Sequence, residues 1–256
     1  MGVVVELIRR GFQIATRSLD LLILLFAFGF VWNLINIPLT TQMQQASVLG
    51  SLSVVALSLV FIVVSIFLQA GSLGYVRDFI KTGQTSLSTF KSTGSKFFLR
   101  IFGVSAIVGL FVVILSIVAA LAILIGGQTP NPVSVVIAGV VFLIGLAGVL
   151  MVFLSPYILV ADDKKVIESL RESITLVKAN IGKVLSLGLM LILIGFGIGL
   201  LLGILFGLLG GILPGVVGQI VFGFFSSVVN AYIGVVVSAT FMAFYLSLKS
   251  SAPAAN

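Results

Sequence analysis

The chain contains no cysteine and no histidine in its 256 residues. Without cysteine there can be no disulfide, no thiolate nucleophile and no thiolate-ligated metal. Without histidine, the commonest general base and the commonest metal ligand are missing too. Charge is nearly as scarce: 8% of residues are Asp, Glu, Lys or Arg, against about a quarter in soluble domains. That deficit excludes a water-soluble fold.

Apolar sequence fills the space. Hydrophobic residues make up 60% of the chain, and the mean hydropathy is +1.34. A helix needs about 20 apolar residues to cross a bilayer, so the length accommodates about six spans. The runs fall at 21–37, 48–70, 101–125, 133–154, 184–209 and 216–248. Pro38 is read as closing the first, GSLG (71–74) as ending the second, and Ser155-Pro156 as kinking or ending the fourth. GGQTPNP (126–132) reads as a tight connection, and Gly210-Gly211 with Pro214-Gly215 as the last turn. Residues 184–248 are free of charge and divide into two long spans, with three short ones as the alternative. Residues 1–20 carry Glu6, Arg9, Arg10, Arg17 and Asp20 before a span-length run, which does not read as a cleavable signal.

All charges lie in four segments, 1–20, 71–100, 161–183 and 249–256, with net charges of +1, +4, +1 and +1. Six spans put all four on one side. The bias of basic residues toward the cytoplasm makes that side cytoplasmic, with both termini inside. A seventh span would leave Lys249 outside. The +7 net charge is thereby explained without nucleic acid.

Two charged segments have a helical period. In 161–183, Val166, Ile167, Leu170, Ile174 and Val177 share one face, with Lys164, Lys165, Glu168, Arg171, Glu172 and Lys178 opposite and Asn180 and Gly182 as stops. In 3–18, Val4, Ile8, Phe12, Ala15 and Leu19 share a face. The two match at a constant offset of 162 residues. Both are expected to lie in the membrane plane, on the cytoplasmic side. Together with residues 85–100 they suggest a threefold helix-plus-hairpin repeat, with units of approximately 3–84, 85–160 and 161–248 inside one polytopic membrane domain spanning 1–256.

Gly195, Gly199, Gly203, Gly207 and Gly211 recur every four residues, forming a groove that lets another helix approach closely. Gly223, Ser227 and Ala231 of the sixth span, followed by Gly234 and Ser238, are the expected partner, with a second copy of the chain or a substrate path as alternatives. Among the polar residues in the spans, Asn33, Asn36, Gln69, Gln219 and Asn230, the deepest is Asn230, of which interhelical hydrogen bonding is expected, while Asn33 and Gln69 are expected to anchor at the interface or to hydrogen-bond between helices. No ionisable group sits at a span centre, which argues against a proton-coupled pump or acid–base enzyme. The Asp162-Asp163 pair reads as a helix N-terminal cap, and as a metal or catalytic pair only if Asp78, Glu168 or Glu172 converge on it. In the basic loop 71–100, Arg77, Lys81, Lys91, Lys96 and Arg100 are candidates for contact with anionic lipid head groups, or serve topology alone.

GSLGYVRDFI (71–80), VIESLRESITLVKANIGKVL (166–185) and FMAFYLSLK (241–249) resemble a group of prokaryotic membrane proteins. The group includes the membrane domain fused to some glycerophosphodiester phosphodiesterases and its stand-alone relatives. The resemblance implies a fold. It does not imply the phosphodiesterase activity, which depends on His and Glu in a catalytic domain absent here.

The reading is an all-α integral membrane protein of a cell membrane, multi-pass, with no cofactor and no metal. Its expected role is a non-enzymatic packing, scaffolding or accessory-subunit module, with passive carriage of lipid or another apolar molecule as the alternative. Its expected partners are the bilayer, anionic lipids, and either copies of itself or a larger membrane complex.

Overall fold

The computed structural model describes residues 2–43, 48–125, 132–210, 213 and 215–251. Over these residues the chain forms nine helices and no strand: α1 (Gly2–Arg17), α2 (Leu19–Met43), α3 (Val48–Thr82), α4 (Leu87–Ile125), α5 (Pro132–Val152), α6 (Ser155–Asp162), α7 (Val166–Ala179), α8 (Ile181–Gly210) and α9 (Gly215–Ser251). Six spans are long and apolar enough to cross a membrane, the fourth being α5 continued by α6. Residues 184–248 contribute two long helices, not three short ones. The connection at 126–131 lies outside the described residues, as do Gly211 and Pro214.

Several boundaries differ from the sequence reading, and the reasons are physical. Pro38 sits inside α2 instead of ending it. In a span, losing one backbone hydrogen bond at a proline is cheaper than exposing a whole unpaired turn. GSLG does not end the second span. Helix α3 runs on to Thr82, and its glycines serve close packing instead. A methyl at Gly71 would lie 2.6 Å from the Phe90 ring, and one at Gly74 would lie 2.0 Å from Thr93 Cγ2. Gly94 does the same from the other side, with Phe67 2.9 Å from its missing Cβ. The basic loop is therefore a helical hairpin turned at residues 83–86, where Gly83 adopts φ +75° and donates its N–H to the Phe79 carbonyl at 2.9 Å.

The chain forms two compact units, residues 1–96 with 182–256, and residues 97–181. In the first, α9 is the hub against which α1, α2 and α3 pack. Its buried face repeats every four residues: Gly223, Ser227, Ala231, Val235, Ala239 and Ala243. Small side chains at one position per turn bring neighbouring backbones close enough for dispersion contacts, which drive helix association where no water needs expelling. Aromatic rings fill the flanks, with Phe224 edge-on to Phe26 and Phe30 at 5.2 and 5.6 Å. Helix α1 crosses α9 at Gly11, where a methyl would lie 2.1 Å from Thr240 Oγ1 and 2.9 Å from the Val236 carbonyl oxygen.

In the second unit the expected break at Ser155-Pro156 separates α5 from α6. Proline interrupts the backbone ladder, and the opened groups are recovered by Ser173 of α7. Its Oγ accepts from the Leu154 N–H at 3.2 Å and donates to the Met151 carbonyl at 2.8 Å. That requirement rotates the buried face of α7. Ser169, Leu170, Ser173 and Val177 are buried, whereas Ile167, placed on the apolar face that was expected against lipid or the underside of the bundle, is 53% exposed. In α1 the buried residues are Val4, Leu7, Ile8, Gly11, Ile14 and Ala15, and Leu19, beyond the break at Ser18, is exposed.

Candidate functional site

The small-residue row of α9 does meet a partner, but the partner is α2. Asn33 Nδ2 donates to the Gly29 carbonyl at 2.9 Å and to Ser227 Oγ at 3.0 Å. Ser227 Oγ in turn donates to the Gly223 carbonyl at 2.6 Å. Gly223 has no side chain because the Asn33 Cβ stands 3.2 Å from where its own would be. Asn33 is thus the interhelical polar contact. That is one of the two roles expected of Asn33, whereas Asn230, the deepest candidate, is exposed, as are Gln69 and Gln219, and Asn36 bonds within its own helix to the Trp32 carbonyl at 2.9 Å.

The glycine row of α8 is different. At Gly195, Gly199, Gly203 and Gly207 nothing lies within 4 Å of where a Cβ would stand, and Gly211 is outside the described residues. The expected seating of α9 in this groove is not found. Helices α8 and α9 meet instead near their connection, through Phe206 against Phe222 at 4.8 Å and Phe225 at 5.9 Å. The reason is that α9 has already spent its small-residue face on α2 and α1. Gly234 and Ser238 lie off that face. Continuing the four-residue period from Ala231 to Val235, Ala239 and Ala243 is the signal that would have found it.

In the second unit the charged groups are largely engaged with one another. Asp162 and Asp163 close α6 instead of opening α7: Asp163 takes a left-handed conformation at φ 55°, and Lys165 is the N-cap. The chain must reverse between α6 and α7, and the aspartate tolerates that backbone better than a bulkier residue. Arg100 Nη1 binds Asp163 Oδ1 at 2.6 Å and the carbonyls of Asp163 and Lys164 at 3.2 and 3.3 Å, so it satisfies the end of α6. Glu168 accepts from the Lys165 N–H at 3.4 Å. Lys164 pairs with Glu172, and that hydrogen bond, opposed by burial, holds its ammonium above the ordinary lysine range. Among the described residues no three Asp or Glu converge on one point.

Of the five expected lipid-facing cations, Arg77 Nε is bonded to Asp78 at 2.6 Å and Arg100 is held as above. Lys81, Lys91 and Lys96 are exposed. In the first unit the charged ends lie together, since α1 crosses the C-terminal half of α9 and α4 begins beside the end of α3. No curated protein and no solved structure matches the chain. With six apolar spans and an α9-centred unit, the chain belongs to the family described as Domain of unknown function (DUF7847), which matches residues 3–248.

Proposed function

We propose that this membrane-spanning protein is a non-enzymatic module that packs against other membrane helices, as a scaffold or accessory subunit or as copies of itself. The observation that carries this reading is α8. None of the residues in its most apolar stretch is buried, against 6% in each of four other spans and 28% in α9. Its open face carries four glycines, each of which costs a helix about 0.5–1 kcal/mol relative to alanine. Such a face is worth keeping where another backbone comes close. The engagement of Asp163, Glu168 and Glu172 in caps and ion pairs supports a structural use of the charges. The test is to purify the full chain in mild detergent and measure its mass by light scattering while identifying co-purifying proteins. An oligomer or a stoichiometric partner is expected, and a strict monomer with no partner overturns the reading.

A second reading, passage of lipid or another apolar molecule, is favoured by a cleft of about 350 Å³ between α4 and α5. Leu115, Ala138, Phe142 and Gly145 line it, and its one hydroxyl, on Ser116, is committed to the Val112 carbonyl at 2.9 Å. Liposomes containing the protein should then move labelled lipid between leaflets faster than empty ones, and equal rates discard it.

A further inference from the structure

The basic residues of α1 are arranged differently from those of α7. Arg10, Gln13 and Arg17 fall at i, i+3 and i+7, one helical stripe, and border a cavity of about 220 Å³ closed by Phe79, Ile80 and Gly83 at the end of α3. Glu6 stands one turn before Arg10 and Asp20 three residues after Arg17, yet neither is ion-paired to them. Nor does either guanidinium donate to a carbonyl of α3, whose last turn is closed by the Gly83 N–H. The offset of 162 supplies an internal control. Arg10 corresponds to Glu172, which is neutralised by Lys164, and Arg17 corresponds to Ala179. The helix that shares the α1 pattern has its charge balanced at this stripe, whereas α1 keeps two unbalanced cations facing a cavity.

The position of the cavity selects the ligand. It lies between α1 and the end of α3, where the second span leaves the apolar part of the membrane, the level at which lipid phosphates sit. Guanidinium forks match phosphate oxygens in pairs, and the Gln13 amide adds a neutral donor between them. Phe79 and Ile80 offer an apolar wall to what is attached to the phosphate. Lys81, exposed and adjacent in sequence, raises the local positive potential.

We propose that Arg10, Gln13 and Arg17 of α1, with the end of α3, bind a phosphate-bearing anion, and that an acidic phospholipid head group supplies it. This stands apart from the packing role of α8. The test uses the full chain in mild detergent, loaded with phosphatidylglycerol or phosphatidylcholine and read by native mass spectrometry. Wild type should retain phosphatidylglycerol preferentially. Arg10→Gln with Arg17→Gln should lower that retention about tenfold, with Arg10→Lys and Arg17→Lys falling between. Lys91→Gln with Lys96→Gln should leave it unchanged. Unchanged retention in the double arginine variant, or an equal loss in the lysine pair, overturns the site. Displacement of the lipid by inorganic phosphate at the same head-group concentration overturns the lipid as source. Both arginines are exposed, so loss of folding is not expected, and the same spectra report oligomeric state separately.

Discussion

Helices α8 and α9 each carry a row of small residues at a spacing of four, and the two rows have opposite fates. In α9 the row Gly223, Ser227, Ala231, Val235, Ala239 and Ala243 is buried along its whole length, against α2 at Asn33. In α8 the row Gly195, Gly199, Gly203 and Gly207 has nothing against it. The difference is one of composition within the same period. The α9 row mixes alanine, valine and a serine that bonds across the interface, which suits a fixed partner within the chain. The α8 row is glycine throughout, which gives the closest approach and the least specificity of shape.

The comparison breaks most sharply at α9. Ala239 is fully buried, so Ala239→Leu must push three extra carbons into filled space, at about 3 kcal/mol. Reversible unfolding in mixed micelles should show that loss, and a change under about 0.5 kcal/mol would mean the α9 face is looser than described. Next comes the polar joint. Ser227→Ala or Asn33→Leu removes the 3.0 Å interhelical hydrogen bond and should cost about 1 kcal/mol, since such bonds in membranes are individually modest. A double-mutant cycle between the two should return a coupling of that order. The smallest effect belongs to α8. Gly203→Leu should leave the stability of the isolated chain unchanged or raise it by a few tenths of a kcal/mol, because leucine is the better helix former. The same substitution should abolish association with a neighbour.

Lys164 sharpens a second contrast, between balanced α7 and unbalanced α1. Its folded pKa lies above the unfolded one, chiefly through Glu172. Its contribution is therefore complete at neutral pH and is lost as pH rises through the folded value. Lys164→Gln should narrow its stability gap from wild type only at strongly alkaline pH. Arg10→Gln, which removes no ion pair, should show no such gap.

The number of spans, their order and the helical state of α1 and α7 were legible because each rests on composition and period alone. Their buried faces were only half legible. Leu7, Ile8, Gly11 and Ala15 of α1, and Ser169, Leu170, Ser173 and Val177 of α7, which stand 162 residues on, are all buried. Hydropathy chose Ile167 over Ser173, since nothing local reveals that Pro156 opens backbone groups a serine must close. Gly71 and Gly74 were taken as breakers for a related reason. A glycine in a helix and a glycine in a turn are the same letter, and only Phe90 and Thr93, sixteen or more residues on, distinguish them. Asn230 misled by depth, because a polar residue's place along a span does not say which way it faces.

The absence of native cysteine makes one measurement direct. Gly203→Cys and Leu201→Cys place single thiols on the glycine row and on the opposite side of α8. Oxidation in native membranes should cross-link the Gly203→Cys chain to a second copy or to a distinct membrane protein, and cross-link Leu201→Cys much less. If Gly203→Cys stays monomeric under conditions that oxidise it, the α8 groove faces lipid alone, and the account of this protein as a module completed by outside helices is contradicted.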